Sequence, residues 1–161
     1  MTKKTLFLDY DGVLHPYNVW AKNGEFELQC EDKSLTLFCY APILEAIIDD
    51  IDPHGLVSIT LSTTWAQRLH WTTARNYLPE SLKNRVVAGV HHYPLARGLQ
   101  IETYCLDYRI PDDSWIAIDD DDYNWPPQNL DKLVKCDPDV GLSCIKTQQE
   151  LRRKLEALLR D

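Results

Sequence analysis

The chain has 161 residues, of which 44% are hydrophobic and 26% charged, and its formal net charge at pH 7 is −8. This length fits one domain with one hydrophobic core. The acidic balance excludes the broad basic face on which general nucleic-acid binding depends, so any contact with nucleic acid must be local.

The first stretch of the chain, MTKKTLFLDYDG, contains an apolar run that is too short for a signal-peptide core or a membrane span. We therefore expect a cytoplasmic protein that does not have a membrane as a partner. The run itself predicts a buried strand over residues 4–9. Residues 17–38 then contain Asn23-Gly24 between two polar-apolar stretches, which predicts a hairpin with a tight turn.

Strand and helix patterns alternate after the hairpin. Ala41-Pro42 begins a helix whose apolar residues share one face and which ends at His54-Gly55. Strands are predicted at 56–61, 85–90, 115–118 and 133–136, and helices at 65–78 and 98–108. The capping-box pattern at 147–150 predicts a last helix with inward-facing leucines (Leu151, Leu155, Leu158 and Leu159). This alternation predicts a three-layer α/β/α sandwich with a mainly parallel central sheet.

The five cysteines lie at positions 30, 39, 105, 136 and 144. Their number is odd, they form no C-x-x-C pair, and they lie in apolar or mixed stretches. Buried free thiols are therefore expected rather than a zinc site.

Polar side chains follow several of the predicted strands. Asp9 and Asp11 end the first strand, the Ser62–Thr64 segment ends the second, and four acids at 119–122 follow the strand WIAI, while Arg97 precedes a helix. In parallel sheets the site lies at the carboxyl ends of the strands. Acids bind hard cations, whereas hydroxyl and guanidinium groups bind oxyanions. A divalent metal with a bound phosphate would also offset the mutual repulsion of the two aspartates in the first motif.

At these residues the chain resembles the haloacid dehalogenase (HAD) superfamily of aspartate-nucleophile phosphatases. LFLDYDGVL matches the first motif of that superfamily, LVSITLS the second, Arg97 in ARGLQIETYC the third, and WIAIDD the fourth. The details DGVLHP, LSTTW and WIAIDDD resemble a capless branch that occurs as a domain of Swiss Army Knife RNA repair proteins. The resemblance covers nearly the whole chain and implies a HAD-like, Rossmannoid fold.

The resemblance also implies a role for each motif residue. Asp9 would be the nucleophile that forms an aspartyl-phosphate, and Asp11 the general acid and base. Ser62 and Arg97 would hold the phosphoryl oxygens, with Thr63 as a further substrate contact.

A magnesium ion is the cofactor that the resemblance implies. Its ligands would be the Asp9 carboxylate, the backbone carbonyl of Asp11, and Asp120, with Asp119 as a second acid.

Several residues keep an alternative role. Thr63 or Thr64 would serve equally well as the phosphate-binding hydroxyl if Ser62 caps the next helix. Lys83 and Arg85 precede a strand and compete with Arg97 for the basic position.

Other residues near the motifs have structural interpretations. Asp121 and Asp122 are typical of solvated loop acids, and His15 of a turn residue beside the first motif. Adjacent residues on extended backbone point to opposite sides, so His91-His92 is not expected to ligate one metal. Three tryptophans near the motifs would either stack on a base or pack in the core (Trp20, Trp65 and Trp125).

The chain has no room for a large cap domain. Members of the superfamily often carry a cap after the first or the third strand. Here residues 15–40, after the first strand, have room only for a hairpin flap, and residues 91–96, after the third, have room for no cap. An open site favours a large or exposed phosphorylated substrate, such as a nucleic-acid end or a nucleotide. The sequence thus predicts a magnesium-dependent phosphatase. The alternatives are a phosphate-binding regulatory module without turnover and a phosphotransferase.

Overall fold

A five-stranded parallel sheet forms the centre of the fold in the computed structural model, which describes residues 3–160. The chain also forms a separate two-stranded hairpin. In chain order the strands are β1 (Lys4–Leu8), β2 (Val19–Lys22), β3 (Glu25–Leu28), β4 (Val57–Leu61), β5 (Val86–Gly89), β6 (Trp115–Asp119) and β7 (Leu133–Lys135). The central sheet has the order β5-β4-β1-β6-β7, and every neighbouring pair is parallel. The predicted strands are confirmed to within one or two residues at each end.

Helices cover both faces of this sheet, as the α/β/α prediction requires. They are α1 (Ala41–Ile51), α2 (Thr64–Leu69), α3 (Trp71–Ala74), α4 (Glu80–Lys83), α5 (Arg97–Asp107) and α6 (Ile145–Arg160), with 3₁₀ turns at Arg75–Tyr77, Pro127–Lys132 and Gly141–Ser143. Successive strand residues point to opposite faces. Leu6 and Leu8 accordingly belong to one buried cluster and Phe7 to the other. Within residues 3–160, none of these helices combines the length and apolar character needed to cross a membrane.

The helix predicted over residues 65–78 is wrong as a single element. His70 has a φ of 66°, in the left-handed region, and it separates α2 from α3. A right-handed helix cannot continue through such a residue. The segment then tightens into a 3₁₀ turn, and the short helix α4, which the sequence pattern did not reveal, follows Pro79.

The capping box predicted at the start of the last helix is also wrong. Helix α6 begins at Ile145, so Thr147 lies inside its first turn rather than before it. The Thr147 backbone and hydroxyl instead stabilise the thiolate of Cys144 and lower the pKa of that thiol. The inward face is as expected, because Leu151, Leu155 and Leu158 are buried and Leu159 packs against the same cluster.

All five cysteines are free thiols, as predicted. Their burial was predicted only partly correctly. Cys105 and Cys136 are buried, whereas Cys30, Cys39 and Cys144 are half-buried.

The predicted hairpin is confirmed as β2 and β3. Asn23 and Gly24 both have positive φ, 51° and 78°, which is the geometry of a type I′ turn that matches the twist of paired strands. Phe26 of this hairpin stacks on the Trp65 ring of α2, with ring centroids 3.8 Å apart. The hairpin is therefore a small flap held against the main fold, and no large cap is present among the described residues.

Asp52 fixes the amino-terminal edge of the sheet. Its carboxylate accepts hydrogen bonds from the backbone N–H groups of Leu56 (2.9 Å) and Val57 (2.8 Å) and from Arg85 (2.6 Å). Burial opposes the charged form, but these three donors outweigh that cost and hold the pKa of Asp52 below its ordinary value. The ion pair joins the end of α1 to the starts of β4 and β5.

We predict that Asp52→Asn lowers the free energy of unfolding by about 2 kcal/mol, because it removes the nearer counter-charge of the nearly buried Arg85 guanidinium and leaves the more exposed Asp49 at 3.4 Å. Urea unfolding of the purified chain measures this loss. The matched control is Asp50→Asn, which removes an exposed ion pair with Arg152 and should cost less than about 1 kcal/mol. Equal losses in the two variants would contradict the structural role of Asp52.

Candidate active site

The ends of three neighbouring strands bring the first, second and fourth motifs together. The Asp9 N–H donates to the Ile118 carbonyl of β6 at 3.2 Å, and the Ser62 N–H donates to the Leu8 carbonyl of β1 at 2.9 Å. Because β1 is the central strand, Asp9 is flanked by the end of β4 on one side and by the end of β6 on the other. The carboxyl edge of the sheet thus carries the candidate site.

Asp9, Asp119 and Asp120 form a tight carboxylate cluster at this edge. One potential ligand atom from each lies within 4.8 Å of the others, and Asp9 and Asp119 are buried. Burial, followed by the charge of Asp119, raises the pKa of Asp9 well above its ordinary value, against the opposing charge of Arg97. Burial likewise raises the pKa of Asp119 to about 7. Such a cluster fits a divalent cation with oxygen ligands, because the cation would compensate the negative charge that burial and the neighbouring acids disfavour.

Gly12 lets the fourth motif approach the first. Its φ is 77°, and a Cβ built on it would overlap the carboxylate of Asp120. A side chain at this position would therefore both strain the backbone and push Asp120 away from Asp9. The glycine of the Asp-x-Asp-Gly pattern is thus required by close approach as well as by backbone conformation.

Two buried donors stand beside the carboxylates without a hydrogen-bond acceptor among the described residues. These are the Ser62 hydroxyl and Nη1 of Arg97, and Oδ2 of Asp119 also lacks a hydrogen bond. The Arg97 Nε lies 3.9 Å from that same Oδ2, which places the guanidinium beside the cluster. Buried polar groups without partners are costly, so their concentration here favours a ligand with oxyanion character.

The three hydroxyls that follow β4 have different environments. Thr63 is the N-cap of α2, because its Oγ1 accepts a hydrogen bond from the Trp65 backbone N–H at 3.3 Å. Thr64 is exposed, and Ser62 is buried. Thr63 therefore has the capping role that was considered for Ser62. The Ser62 hydroxyl has no partner among the described residues and can bind a ligand.

Asp11 is held apart from the cluster by two N–H donors. Its Oδ1 accepts hydrogen bonds from Nε1 of Trp65 at 2.9 Å and from Nε2 of His15 at 2.8 Å. The Phe38 backbone N–H donates to Nδ1 of His15 at 3.0 Å. A ring nitrogen that accepts cannot also carry the proton, so Nε2 of this imidazole carries it and donates to Asp11. Both hydrogen bonds are accepted by Oδ1, and Trp65 and His15 thus anchor Asp11 through this atom. Oδ2 of Asp11 takes no part in this anchor.

The sequence interpretation did not assign this anchoring role to His15 or Trp65. His15 does lie in the turn after β1, as expected, and Trp65 does pack in the core. The additional contacts with Asp11 come from an indole 54 positions away and an imidazole whose tautomer depends on Phe38. The adjacent DGVLHP pattern was the one available signal.

The remaining candidates pack in the core or face solvent. Trp125 is buried against Gly98, and its Nε1 donates to the Asn129 carbonyl at 3.2 Å, which favours packing over substrate stacking. Trp20 lies on β2 and is 64% exposed. Asp121 and Asp122 are exposed, as expected for loop acids.

Of the basic residues that competed with Arg97, Arg85 pairs with Asp52 at the opposite edge of the sheet. Lys83 ends α4. Arg97 is the residue among these three that lies beside the carboxylates.

A family model described as the HAD domain in Swiss Army Knife RNA repair proteins matches residues 5–146. This range includes the carboxylate cluster, Asp11, Ser62 and Arg97, so the resemblance noted on the sequence motifs is confirmed at the level of the family. No curated protein is similar enough to the chain to count as a match.

We predict a stability signature from the carboxylate cluster in the absence of divalent cations. The pKa of Asp119 rises from 3.8 to about 7 on folding, so the protonated acid stabilises the fold. Its contribution is fully present below pH 3.8 and is lost as the pH rises through about 7. In a chelating buffer, the free energy of unfolding of Asp119→Asn should therefore fall less steeply between about pH 5 and about pH 8 than that of the unaltered chain.

The matched control is Asp122→Asn, which alters an exposed acid of the same loop that pairs with Lys135. This variant should keep the pH dependence of the unaltered chain. The same slope in Asp119→Asn and the unaltered chain would contradict the raised pKa.

Proposed function

Since the chain belongs to the family described as the HAD domain in Swiss Army Knife RNA repair proteins, we propose that it is a magnesium-dependent phosphatase acting on a phosphomonoester. Membership of this family indicates a phosphatase or related hydrolase in general. One observation supports the more specific proposal: two buried donors without partners, on Ser62 and Arg97, stand beside the buried carboxylate of Asp9.

In the proposed reaction the phosphoryl oxygens of the substrate accept hydrogen bonds from the Ser62 hydroxyl and the Arg97 guanidinium. These groups are fixed before the substrate arrives, so they stabilise the charge that shifts onto the phosphoryl oxygens in the transition state. A carboxylate oxygen of Asp9 then attacks phosphorus. The bond between phosphorus and the leaving oxygen breaks, and an aspartyl-phosphate forms.

Asp11 is the proposed acid and base of the two half-reactions. It first gives a proton to the leaving oxygen. It then takes a proton from a water molecule that attacks phosphorus, which releases inorganic phosphate and regenerates the Asp9 carboxylate. The anchor formed by Trp65 and His15 supports this role because it fixes Oδ1 and keeps the carboxyl group outside the metal-binding cluster.

The residues that would hold magnesium are Asp9, Asp119 and Asp120, together with the backbone carbonyl of Asp11. The three carboxylates fit a hard cation, because their oxygens are close together and burial raises the pKa of each. When bound, magnesium would screen the repulsion between the nucleophilic carboxylate and the phosphate dianion.

A nucleic-acid end is the proposed class of substrate. The family description names RNA repair proteins, and no large cap encloses the edge of the sheet among residues 3–160. The flap carries the exposed ring of Trp20, whose Nε1 donates to Asn18. We propose Trp20 as a stacking contact for a large substrate, whereas burial makes Trp125 a poor candidate for that role.

The chemistry can be tested with two aryl phosphates that differ in leaving-group acidity. Asp9→Asn should abolish phosphate release from both, because an amide is a poor nucleophile. Asp11→Asn should lower kcat for the poor leaving group about 10²- to 10⁴-fold and for the good leaving group much less. Trp65→Phe, which removes a single N–H donor from Asp11, should show the same leaving-group preference with a smaller loss.

Equal losses on both substrates in Asp11→Asn would contradict its role as the acid. Release of inorganic phosphate also separates hydrolysis from transfer to another acceptor. Melting temperatures of the three variants control for folding.

The metal site can be tested by thermal melting of the chain with and without magnesium. A cation that binds only the folded state at a hundredfold excess over its dissociation constant stabilises it by about 2.7 kcal/mol. Magnesium should therefore raise the melting temperature of the unaltered chain. Asp120→Ala should remove this shift without lowering the stability of the metal-free protein, because one repelling charge is lost.

The control for this experiment is again Asp122→Asn, which should keep the shift. An unchanged magnesium shift in Asp120→Ala would place the metal elsewhere and overturn the proposed mechanism.

A further inference from the structure

A second concave feature lies at the carboxyl end of β5, outside the residues used by the proposed reaction. It is a cavity of about 310 Å³ between α2, α3 and α5. This volume is at the lower end of the range for small-molecule sites, about 300–1,000 Å³. Aromatic and imidazole rings dominate its wall (His70, Trp71, His91, His92, Tyr104 and Tyr108).

The cavity adjoins the proposed phosphate-binding groups. Val90, which lines it, donates its N–H to the carbonyl of Leu61 at 2.8 Å, and Leu61 directly precedes Ser62. Gln67 lines the cavity from α2, the helix that begins two residues after Ser62. A substrate held by its phosphate at Ser62 can therefore extend along the same edge of the sheet towards β5.

The composition of the wall favours a neutral aromatic ligand. The chain contains 25 acidic residues, yet no Asp or Glu lines this cavity. Tyr104 and Tyr108 stack with ring centroids 4.3 Å apart, and His91 lies 5.7 Å from the Tyr108 ring. The histidines of the wall are not grouped as metal ligands. Among residues 3–160, the side chains that lie close enough together to hold a metal ion are those of the aspartate cluster. Rings of this kind bind planar bases by stacking.

A chain of side-chain hydrogen bonds fixes one polar edge of the cavity. Nε2 of Gln100 donates to the carbonyls of Tyr93 and Leu95, so Oε1 of Gln100 must accept the bond from Nε2 of Gln67 at 3.4 Å. Oε1 of Gln67 then accepts from Nδ1 of His92 at 3.1 Å. Carbonyl oxygens only accept, so the order of donors along this chain is determined.

The consequence is a defined tautomer at the cavity wall. With its proton on Nδ1, neutral His92 presents Nε2 as a hydrogen-bond acceptor. An exocyclic amine on a base would supply the donor.

We propose that this cavity binds the terminal nucleobase of the substrate, an inference that rests on the proposed phosphatase function. The base stacks on the aromatic wall beside Trp71, and its amine donates to His92. The phosphate of the same nucleotide lies at Ser62 and Arg97. The cavity would thus give an open site its selectivity for nucleotide ends over other phosphomonoesters.

The test compares nucleotides with a ribose phosphate that lacks a base. Steady-state kinetics in magnesium give kcat/KM for adenosine 5′-monophosphate, for adenosine 3′-monophosphate and for ribose 5-phosphate. The kcat/KM of the better nucleotide should exceed the kcat/KM of ribose 5-phosphate roughly tenfold, and a ratio of this size is typical of one stacked base. His92→Ala should reduce this ratio about fivefold, as expected for one lost hydrogen bond. Trp71→Leu should bring it close to one.

The matched control is His54→Ala, which removes an exposed histidine from the amino-terminal edge of the sheet and should keep the ratio of the unaltered chain. Melting temperatures check the folding of each variant. His92 is exposed, so His92→Ala still tests the base site if Trp71→Leu impairs folding. Equal kcat/KM for nucleotides and ribose 5-phosphate would overturn the base site while leaving the phosphatase proposal intact.

Absence of turnover on every phosphate would refute the phosphatase proposal. In that case a binding measurement without phosphate tests whether the base site exists. Calorimetric titration with adenosine, which carries no phosphate, should detect binding to the unaltered chain and weaker binding to His92→Ala. Undetectable adenosine binding in the unaltered chain would overturn the base site independently of catalysis.

Discussion

The mutual repulsion of Asp9, Asp119 and Asp120 is the constraint on which the candidate site depends. The three carboxylates lie within bonding range of one ion, and burial raises the pKa of each. The fold brings them together in spite of this cost: parallel pairing of β1 with β6 aligns the two strand ends, and Gly12 removes the side chain that would separate them. Arg97 offsets this cost only in part, since the pKa values of Asp9 and Asp119 stay raised in spite of its opposing charge. The cation and the oxyanion of the proposed function would relieve this cost.

Asp9 and Asp11 belong to one short motif, yet the fold gives them opposite environments. Asp9 is buried among acids, whereas the side chain of Asp11 is 30% exposed and accepts hydrogen bonds from Trp65 and His15. Pairs of carboxylates in contrasting environments are suited to different steps of one reaction. The hairpin contributes to this difference because Phe26 stacks on the indole that holds Asp11. The flap therefore helps to fix the position of the proposed acid.

The fold class and the composition of the candidate site follow from the sequence alone. Buried parallel strands appear as short apolar runs, and the polar residue after each run must lie at the carboxyl edge of the sheet. Asp9, Ser62 and Asp119 could be placed together on that basis, and the structure puts them there. The hairpin was equally predictable, because Asn-Gly between short polar-apolar stretches specifies one turn geometry. These features depend on local patterns, so they are visible without knowledge of tertiary contacts.

Tertiary structure decided what depends on long-range contacts or on single backbone angles. The positive φ of His70 divides a segment whose apolar pattern indicates one helix, and Thr63, not Ser62, caps α2. Arg85 was a plausible phosphate ligand by sequence position, but its partner Asp52 holds it at the opposite edge of the sheet. The anchoring of Asp11 depends on Trp65, 54 positions away, and on a histidine tautomer set by a backbone N–H. The DGVLHP motif points to His15 at most, and no pattern encodes the contacts with Trp65 and Phe38, because these arise only when packing brings distant residues within hydrogen-bond distance.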